Sequence, residues 1–214
     1  MEKMQVPSPH IVGISGGSCA GKTWLADRLL NHFGENAVRL SQDDFYFDRS
    51  HLSPARRARL NFDHPRAIDW DRLEKTLRQF ARGRIASVPR YDFVTHGRIP
   101  GELTLNPAPI LIVEGLWLFR RPTLRNLFDL KIFIRSTPEL CKKRRLQRDT
   151  TERGRTRQQV LEQLSRYTLP MSERFVAPQE KWADLTLDAP VSENQVFKIV
   201  NQIQANHKTL TVGI

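Results

Sequence analysis

GGSCAGKT, residues 16–23, fits the pattern G-x-x-x-x-G-K-[ST] of a phosphate-binding loop. In such a loop glycines permit a tight turn, and backbone N–H groups together with a helix N-terminus surround phosphate oxygens. The lysine reaches the β- and γ-phosphates, and the hydroxyl residue after it ligates Mg²⁺. The alternative is a glycine-rich turn that binds no ligand. The residues predicted to bind nucleotide phosphates are Gly16, Gly17, Ser18, Cys19, Ala20, Gly21, Lys22 and Thr23.

The sequence around this loop alternates strands and helices. Residues 11–15 predict a buried strand before the loop, and residues 21–33 predict an amphipathic helix after it. Residues 85–105, which are rich in turn formers, predict short strands or a hairpin inserted into the main fold. Further strands are predicted at 37–41, 110–114, 129–134 and 184–188, and further helices at 71–82 and 193–206. The predicted fold class is α/β, with a parallel sheet of about five strands flanked by helices.

The composition favours one soluble domain. The 214 residues are 39% hydrophobic and 27% charged, and no repeat or low-complexity tract divides them. We expect a single domain over 1–214, with the hairpin insertion at about 84–106. Two cysteines are too few for a disulfide framework and favour a reducing compartment, so we expect a cytoplasmic protein. No signal peptide is evident, and Glu114 interrupts the longest apolar stretch, so we expect no membrane association.

Much of the net charge of +11 lies in one segment. Residues 142–157 contain eight basic and two acidic side chains, a net charge of +6. We expect the first three basic residues, Lys142, Lys143 and Arg144, on a solvated helical face. The arginines that follow suit bidentate phosphate contacts and predict a mobile lid at about 148–157. The alternative is a salt-bridged helix end.

Three groups follow the carboxyl ends of predicted strands, which is where ligands bind in open α/β sheets. They are the phosphate loop, the acidic pair Asp43 and Asp44, and Glu114. Because phosphate-loop proteins place an acidic residue near the metal, Thr23 and Glu114 are the predicted Mg²⁺ residues. One carboxylate of the pair is predicted to act as a base; neighbours in an extended chain point to opposite sides, so we expect only one to face the site. The alternatives are a helix cap for Glu114 and a solvated loop or a helix N-cap for the pair.

A phosphate loop alone does not separate kinases from GTPases, motors and nucleic-acid-dependent ATPases. The sequence has no N-K-x-D guanine motif and no second set of motor motifs, and it is short for a helicase. A small-molecule kinase is left. Such an enzyme needs a base near the acceptor hydroxyl, groups that hold the substrate, and cations for the transferring phosphoryl group.

Several uncommon segments occur in an order that resembles the uridine kinase (uridine-cytidine kinase) family, within the phosphoribulokinase/uridine kinase superfamily of P-loop kinases. The segments, found between about Ile11 and Asp184, are GGSCAGKT, LSQDDFY, NFDHP, YDFVTHGR, EGLW and RRLQRDTTERGR. The resemblance implies a P-loop kinase fold and transfer of phosphate from ATP, with Mg²⁺, to the 5′-hydroxyl of uridine or cytidine. It also implies a homo-oligomer, commonly a tetramer, with small-molecule partners and no nucleic acid.

The resemblance assigns roles to residues by position. Asp43 would be the catalytic carboxylate, which orients and deprotonates the hydroxyl. Lys22, Arg148 and Arg153 would act on the phosphates. The substrate residues would be Asp63 on the ribose hydroxyls, Tyr91, Phe93 and His96 in the base pocket, Arg145 near the sugar, Arg155 towards the base and Gln163 on the ribose. Aromatic rings suit a flat pyrimidine, and a neutral imidazole offers a donor and an acceptor. The alternatives are a turn role for Asp63, a surface position for His96, and rings that only fill the hairpin core.

The chain departs from the family after its last predicted strand. Relatives often carry a Pro-Arg-Gly-type segment near the adenine, whereas residues 187–190 read Leu-Asp-Ala-Pro here, which leaves the donor, ATP or GTP, open. Trp24 and Asp44 are further departures. Three other functions stay open: a related kinase for another riboside, pantothenate or a sugar phosphate; a nucleic-acid-binding ATPase, whose binding would fall steeply with salt; and a nucleotide-binding regulator without catalysis.

Overall fold

A computed structural model describes residues 8–57 and 59–206. Within them, five strands form a parallel sheet in the order β2–β5–β1–β6–β7. The strands are β1 (His10–Gly16), β2 (Ala37–Ser41), β5 (Ile110–Gly115), β6 (Leu130–Arg135) and β7 (Leu185–Asp188). This confirms the predicted α/β class and the predicted parallel sheet. The expected single domain spans 1–214, and residues 1–7, 58 and 207–214 of it lie outside the described residues.

Helices cover both faces of the sheet, and both faces are apolar. The helices are α1 (Lys22–Phe33), α2 (Pro54–Arg57), α3 (Trp70–Ala81), α4 (Pro122–Arg125), α5 (Pro138–Thr151), α6 (Arg157–Gln163), α7 (Leu169–Met171) and α8 (Glu193–Asn206). Alternate residues of β1 show the pattern: Ile11 packs in one core with α3, and Val12 packs in the other with α1 and α8. Two-sided burial explains why these strands read as continuous hydrophobic runs.

A separate antiparallel hairpin lies beside the sheet. It consists of β3 (Ala86–Asp92) and β4 (Gly97–Leu105), with a register shift between Val88 and Arg90. The predicted insertion at about 84–106 is therefore confirmed as a two-stranded hairpin. Its turn is held by Asp92, which accepts hydrogen bonds from the N–H of Val94 and the hydroxyl of Thr95.

The segment after α6 returns the chain to the sheet. Short π-helical turns at 164–168 and 172–176 flank α7, and a 3-10 helix at 177–182 leads into β7. Buried Gln179 fixes this segment to the end of β5: its amide oxygen accepts the N–H of Phe119 at 2.9 Å, and its amide nitrogen donates to the carbonyl of Leu116 at 2.7 Å. The segment is thus tied to the carboxyl edge of the sheet.

Across the two described stretches of chain, no helix combines the length and apolar content that crossing a membrane requires.

Candidate active site

The phosphate loop joins β1 to α1. Gly16 has φ +152°, and a Cβ there would lie 2.6 Å from the carbonyl oxygen of Ile134 on the adjacent strand. Gly21, at φ +109°, precedes the first residue of α1. A side chain at either position would strain the backbone. Lys22 follows at the helix N-terminus, and its Nζ donates to the carbonyl of Gly17 at 2.8 Å.

Three side chains that carry oxygen atoms, from α1, β2 and β5, lie close together beside this loop. The hydroxyls of Thr23 and Ser41 each donate to the same Glu114 carboxylate oxygen, both at 3.3 Å. Burial raises the pKa of Glu114, and the nearby Lys22 ammonium opposes that rise. One carboxylate with neighbouring hydroxyls is the kind of oxygen donor set that Mg²⁺ uses when substrate phosphates supply further ligands. These residues therefore fit the predicted metal.

Asp43 lies at the base of the cleft. It belongs to a 3-10 turn, Gln42–Phe45, in which the hydroxyl of Ser41 accepts a hydrogen bond from the N–H of Asp43 at 3.3 Å. One carboxylate oxygen, Oδ1, is buried without a hydrogen-bond partner among the described residues. Burial raises the pKa of Asp43, and the charges of Lys22, Arg153 and Arg148 oppose this. An unpaired acceptor surrounded by cations is suited to take a hydrogen bond from a substrate hydroxyl.

Asp43 lines the cleft, whereas Asp44 is not among the residues that line it. The prediction that only one carboxylate of the pair faces the site agrees with this arrangement. Its reason, an extended backbone at this point, was wrong. The chain is a 3-10 turn here and is not extended, so turn geometry separates the two side chains. Burial, together with the charge of Asp43, raises the pKa of Asp44 to about 6.

The raised pKa of Asp44 predicts a pH-dependent stability. The folded state binds a proton more tightly than the unfolded state, so the stability contribution of Asp44 is highest below about pH 4 and declines as pH rises to about 6. We expect Asp44→Asn to stabilise the protein by about 1–2 kcal/mol at pH 7.5, after allowance for partial solvent screening, and by almost nothing at pH 4. Urea unfolding of both proteins at the two pH values measures this. An equal difference at both values would contradict it.

Five rings form one wall of the cleft, which the phosphate loop also lines. The imidazole of His96 stacks on Phe62 with centroids 4.1 Å apart, and Tyr91 packs edge-on against Phe93 at 5.2 Å. Tyr46 lies 5.0 Å from Tyr91. His96 has φ +53°, a left-handed conformation that is uncommon outside glycine and is found at functional sites. The predicted pocket residues therefore share one wall, in which His96 is half-buried.

The contacts of His96 determine its tautomer. Nη2 of Arg155 lies 3.4 Å from Nε2, and the hydroxyl of Tyr91 lies 3.3 Å from Nδ1. Since a guanidinium only donates, Nε2 is the acceptor and the proton sits on Nδ1. Burial, with help from Arg155 and Arg153, lowers the pKa of His96 to about 4, so the ring is neutral at physiological pH. The Tyr91 hydroxyl then accepts from His96, and its own proton points elsewhere.

Asp63 connects the middle of the cleft to two other segments. Its carboxylate accepts hydrogen bonds from Arg145 at 3.2 Å and from the hydroxyl of Thr168 at 2.9 Å. Arg145 is itself buried. The turn interpretation of Asp63 is incomplete, because the side chain reaches across the cleft. Gln163 lies nearby, where its amide oxygen accepts from Arg155 at 2.8 Å.

Three arginines of the predicted lid, together with Arg145, surround one carboxylate. Asp149, whose side chain is fully buried, lies 2.8 Å from a nitrogen of Arg148, 2.9 Å from Arg155, 3.5 Å from Arg145 and 3.7 Å from Arg153. The helix α5 ends at Thr151, and Gly154 has φ +62° in the loop that follows. The salt-bridged helix end, set out above as an alternative, is therefore present. The arginines nevertheless line the cleft, and movement of the lid stays a prediction.

The prediction for Arg144 was wrong. Lys142 and Lys143 are exposed, but Arg144 is half-buried and donates to the carbonyl of Cys19 at 3.1 Å. The same nitrogen lies 3.4 Å from the carbonyl oxygen of Ala20. One turn of α5 brings it alongside the phosphate loop, which the charge pattern of α5 alone does not reveal.

Most of the predicted site residues line one cleft of about 660 Å³. The predicted residues that line it are Ser18, Cys19, Ala20, Gly21, Lys22, Thr23, Asp43, Asp63, Tyr91, Phe93, His96, Glu114, Arg145, Arg148, Arg153, Arg155 and Gln163. Gly16 and Gly17 lie outside the lining. Residues that were not predicted to belong to the site also line it: Trp24, Tyr46, Leu60, Phe62, Leu116, Arg144, Tyr167, Pro190 and Val191. Phe62 had a usable signal, because it adjoins Asp63 in NFDHP.

The fold is shared with a solved kinase structure. The chain is similar to a phosphoribulokinase from Rhodobacter spheroides, with a TM-score of 0.64 and 18% identity over 85% of this chain and 70% of that one. At that identity the similarity concerns the fold, and it supports the predicted P-loop kinase architecture.

Sequence comparison is more specific. The chain is 37% identical to uridine-cytidine kinase 2-B of Danio rerio, over 85% of this chain and 74% of that protein. It is 38% identical to a uridine kinase of Chloroflexus aggregans, over 83% of this chain and 86% of that protein. Residues 11–196 match the model of the phosphoribulokinase / uridine kinase family. The chain therefore belongs to the phosphoribulokinase / uridine kinase family.

Proposed function

We propose that this protein transfers the γ-phosphoryl group of ATP to the 5′-hydroxyl of a pyrimidine ribonucleoside, uridine or cytidine. The observation that carries the proposal is the cleft itself. It places a phosphate loop, the unpaired carboxylate oxygen of Asp43 and the ring wall around His96 in one cavity. The names of the two relatives give the acceptor class.

The residues divide the reaction between them. Asp43 accepts the proton of the acceptor hydroxyl and orients its oxygen towards the phosphate. Lys22, Arg148 and Arg153 line the same cleft and stabilise the charge on the transferring phosphoryl group. Thr23 and Glu114 would hold Mg²⁺, which when bound neutralises phosphate charge. Proximity of these groups in a partly closed cleft supplies much of the rate enhancement.

The ring wall and its polar neighbours select the acceptor. Aromatic rings pack against the flat base, while the Tyr91 hydroxyl, whose own proton is not donated to His96, and the Arg155 guanidinium beside His96 face its polar edge. Asp63 is an acceptor for ribose hydroxyls, and Gln163 contributes a second polar group. A single hydrogen bond at the edge of the base is enough to change the preference between uridine and cytidine strongly. We therefore propose both nucleosides as acceptors.

An acceptor panel tests the proposal. We expect Mg·ATP turnover by the purified protein to depend on uridine or cytidine and to stay near background with other ribosides, pantothenate, sugar phosphates or no acceptor. ADP release and detection of the nucleoside monophosphate measure this. Turnover on one of the other alcohols with none on uridine or cytidine would contradict the proposed acceptor, and uniform background across the panel would contradict the kinase activity.

The proposal also covers the oligomeric state of the protein, its cellular location and its phosphate donor. We propose a cytoplasmic homo-oligomer, a tetramer by family resemblance, built from single-domain chains. Pro190 and Val191 line the cleft next to the position at which relatives carry their adenine segment. Light scattering of the purified protein tests the tetramer, and the same assay with GTP in place of ATP tests the donor.

A further inference from the structure

The carboxylate of Asp149 contacts four arginines in and beside the predicted lid. Its Oδ1 contacts Arg148 at 2.8 Å and Arg153 at 3.7 Å, and its Oδ2 contacts Arg155 at 2.9 Å and Arg145 at 3.5 Å. The backbone N–H of Arg155 also donates to the Asp149 carbonyl at 3.1 Å. No part of the mechanism above uses Asp149 directly, and its side chain is fully buried.

Electrostatics explains why a carboxylate is needed at this point. Burial alone would raise the pKa of Asp149, but the charges of Arg148, Arg145 and Arg153 outweigh burial and hold it below its usual value. The carboxylate is therefore ionised. Guanidiniums carry like charges and repel one another; burial and the charge of Arg148 also lower the pKa of Arg153. Without a central negative charge they would separate.

The arginines held by Asp149 reach different parts of the cleft. Arg155 extends to His96 in the ring wall and to Gln163, while Arg153 lies over the ring of Phe93 at 4.3 Å. Arg145 reaches Asp63. Arg148 and Arg153 are the groups assigned to the phosphates. One carboxylate thus connects the proposed base, ribose and phosphate contacts.

We propose that Asp149 is a positioning residue that holds the base-facing Arg155 and the phosphate-facing Arg148 and Arg153 on one carboxylate, and so couples recognition of the base to phosphoryl transfer. This inference rests on the function proposed above. Small displacements of catalytic groups are costly, since about 1 Å of misplacement lowers rates by about 10²-fold.

The first test compares two aspartates. Asp149→Asn is nearly isosteric and removes the charge, so we expect kcat with the accepted nucleoside to fall about 10- to 100-fold. Asp149→Glu keeps the charge and is expected to retain more kcat than Asp149→Asn. The matched control is Asp184→Asn, because Asp184 forms an ion pair with Lys131 at 2.9 Å and does not line the cleft. We expect that control to leave kcat unchanged. Equal kcat for Asp149→Asn and Asp184→Asn would overturn the proposal.

A double-mutant cycle tests the coupling itself. In the wild type, Arg155→Gln is expected to lower kcat and to raise the nucleoside KM, because Arg155 shares its carboxylate with Arg148 and Arg153. In the Asp149→Asn background, the same change is expected to raise only the nucleoside KM. Independent, multiplicative effects of the two substitutions on kcat would overturn the coupling. Should Asp149→Asn fail to fold by circular dichroism, Asp149→Ser, which also removes the charge, replaces it in the cycle, and a wild-type kcat in Asp149→Ser would be an equal contradiction.

An NMR measurement on the arginine side chains tests the role of Asp149 independently of the nucleoside that the enzyme uses. Nε of Arg148 donates to Asp149 at 2.9 Å, which predicts a protected Nε–Hε signal in the ligand-free protein. We expect that signal to shift or broaden in Asp149→Asn and to stay in place in Asp184→Asn, whatever nucleoside the enzyme uses. If the wild type phosphorylates neither uridine nor cytidine, the proposed function fails while this result still stands. An unshifted signal with normal uridine turnover overturns only the role of Asp149.

Discussion

Asp43→Asn is expected to lower kcat by about 10²–10⁴ while leaving nucleotide affinity nearly unchanged. The amide has almost the same shape as the carboxylate, but it cannot accept the proton of the acceptor hydroxyl. The unpaired Oδ1 atom lies among the cations Lys22, Arg148 and Arg153, which keep the carboxylate available for that role against the effect of burial. Steady-state assays with uridine and cytidine, and calorimetry with a non-hydrolysable ATP analogue, measure the two quantities.

The neighbouring aspartate provides the control for this substitution. Asp44→Asn makes the same replacement of a carboxylate by an amide in the same 3-10 turn, but Asp44 does not line the cleft. We therefore expect its kcat to stay within about threefold of the wild type at pH 7.5, in keeping with a position that does not touch the reacting atoms. Comparable losses in both variants would mean that the turn is disturbed as a whole, and wild-type turnover in Asp43→Asn would contradict the role of Asp43 as base.

The sheet and the phosphate loop could be predicted because their signals are local. A hydrophobic run ending at Gly16, followed by Lys22 and Thr23, specifies strand, loop and helix within a few residues. The rule that ligands bind beyond the carboxyl ends of parallel strands then brings Asp43 and Glu114 to the same edge. In the structure, Thr23 and Glu114 are joined by a hydrogen bond despite lying 91 positions apart.

The lid and the ring wall depend on contacts that no local pattern encodes. The charge count of residues 142–157 indicates an excess of arginine, but not that four guanidiniums meet at Asp149 or that Arg144 turns towards the phosphate loop. The stacking of Phe62 on His96 likewise joins two motifs 34 positions apart through tertiary packing. Buried Gln42, which accepts the N–H of Trp117 at 3.0 Å, was missed for the same reason.

Lys22→Ala is expected to lower kcat/KM for ATP by about 10²–10³, the usual effect of removing one donor to developing negative charge. Lys22 Nζ now donates to the carbonyl of Gly17, so it is held within the loop that would surround the phosphates. A matched control is Lys142→Ala, which removes the same charge from an exposed position of α5. Steady-state titration of ATP at saturating nucleoside measures the change, and equal effects in the two variants would contradict the role of Lys22.

The same lysine has a second, separable effect on pH dependence. Its charge lowers the pKa values of Asp43 and Glu114, both of which burial raises. Removing the charge lets both pKa values rise, and because each carboxylate works in its ionised form, the acid limb of the kcat–pH profile should move to higher pH in Lys22→Ala. Lys22→Arg keeps the charge and should leave that limb close to its wild-type position while still losing activity, since a planar guanidinium does not replace an ammonium on the phosphates. An acid limb that is unmoved in Lys22→Ala would show that Asp43 and Glu114 titrate independently of this lysine.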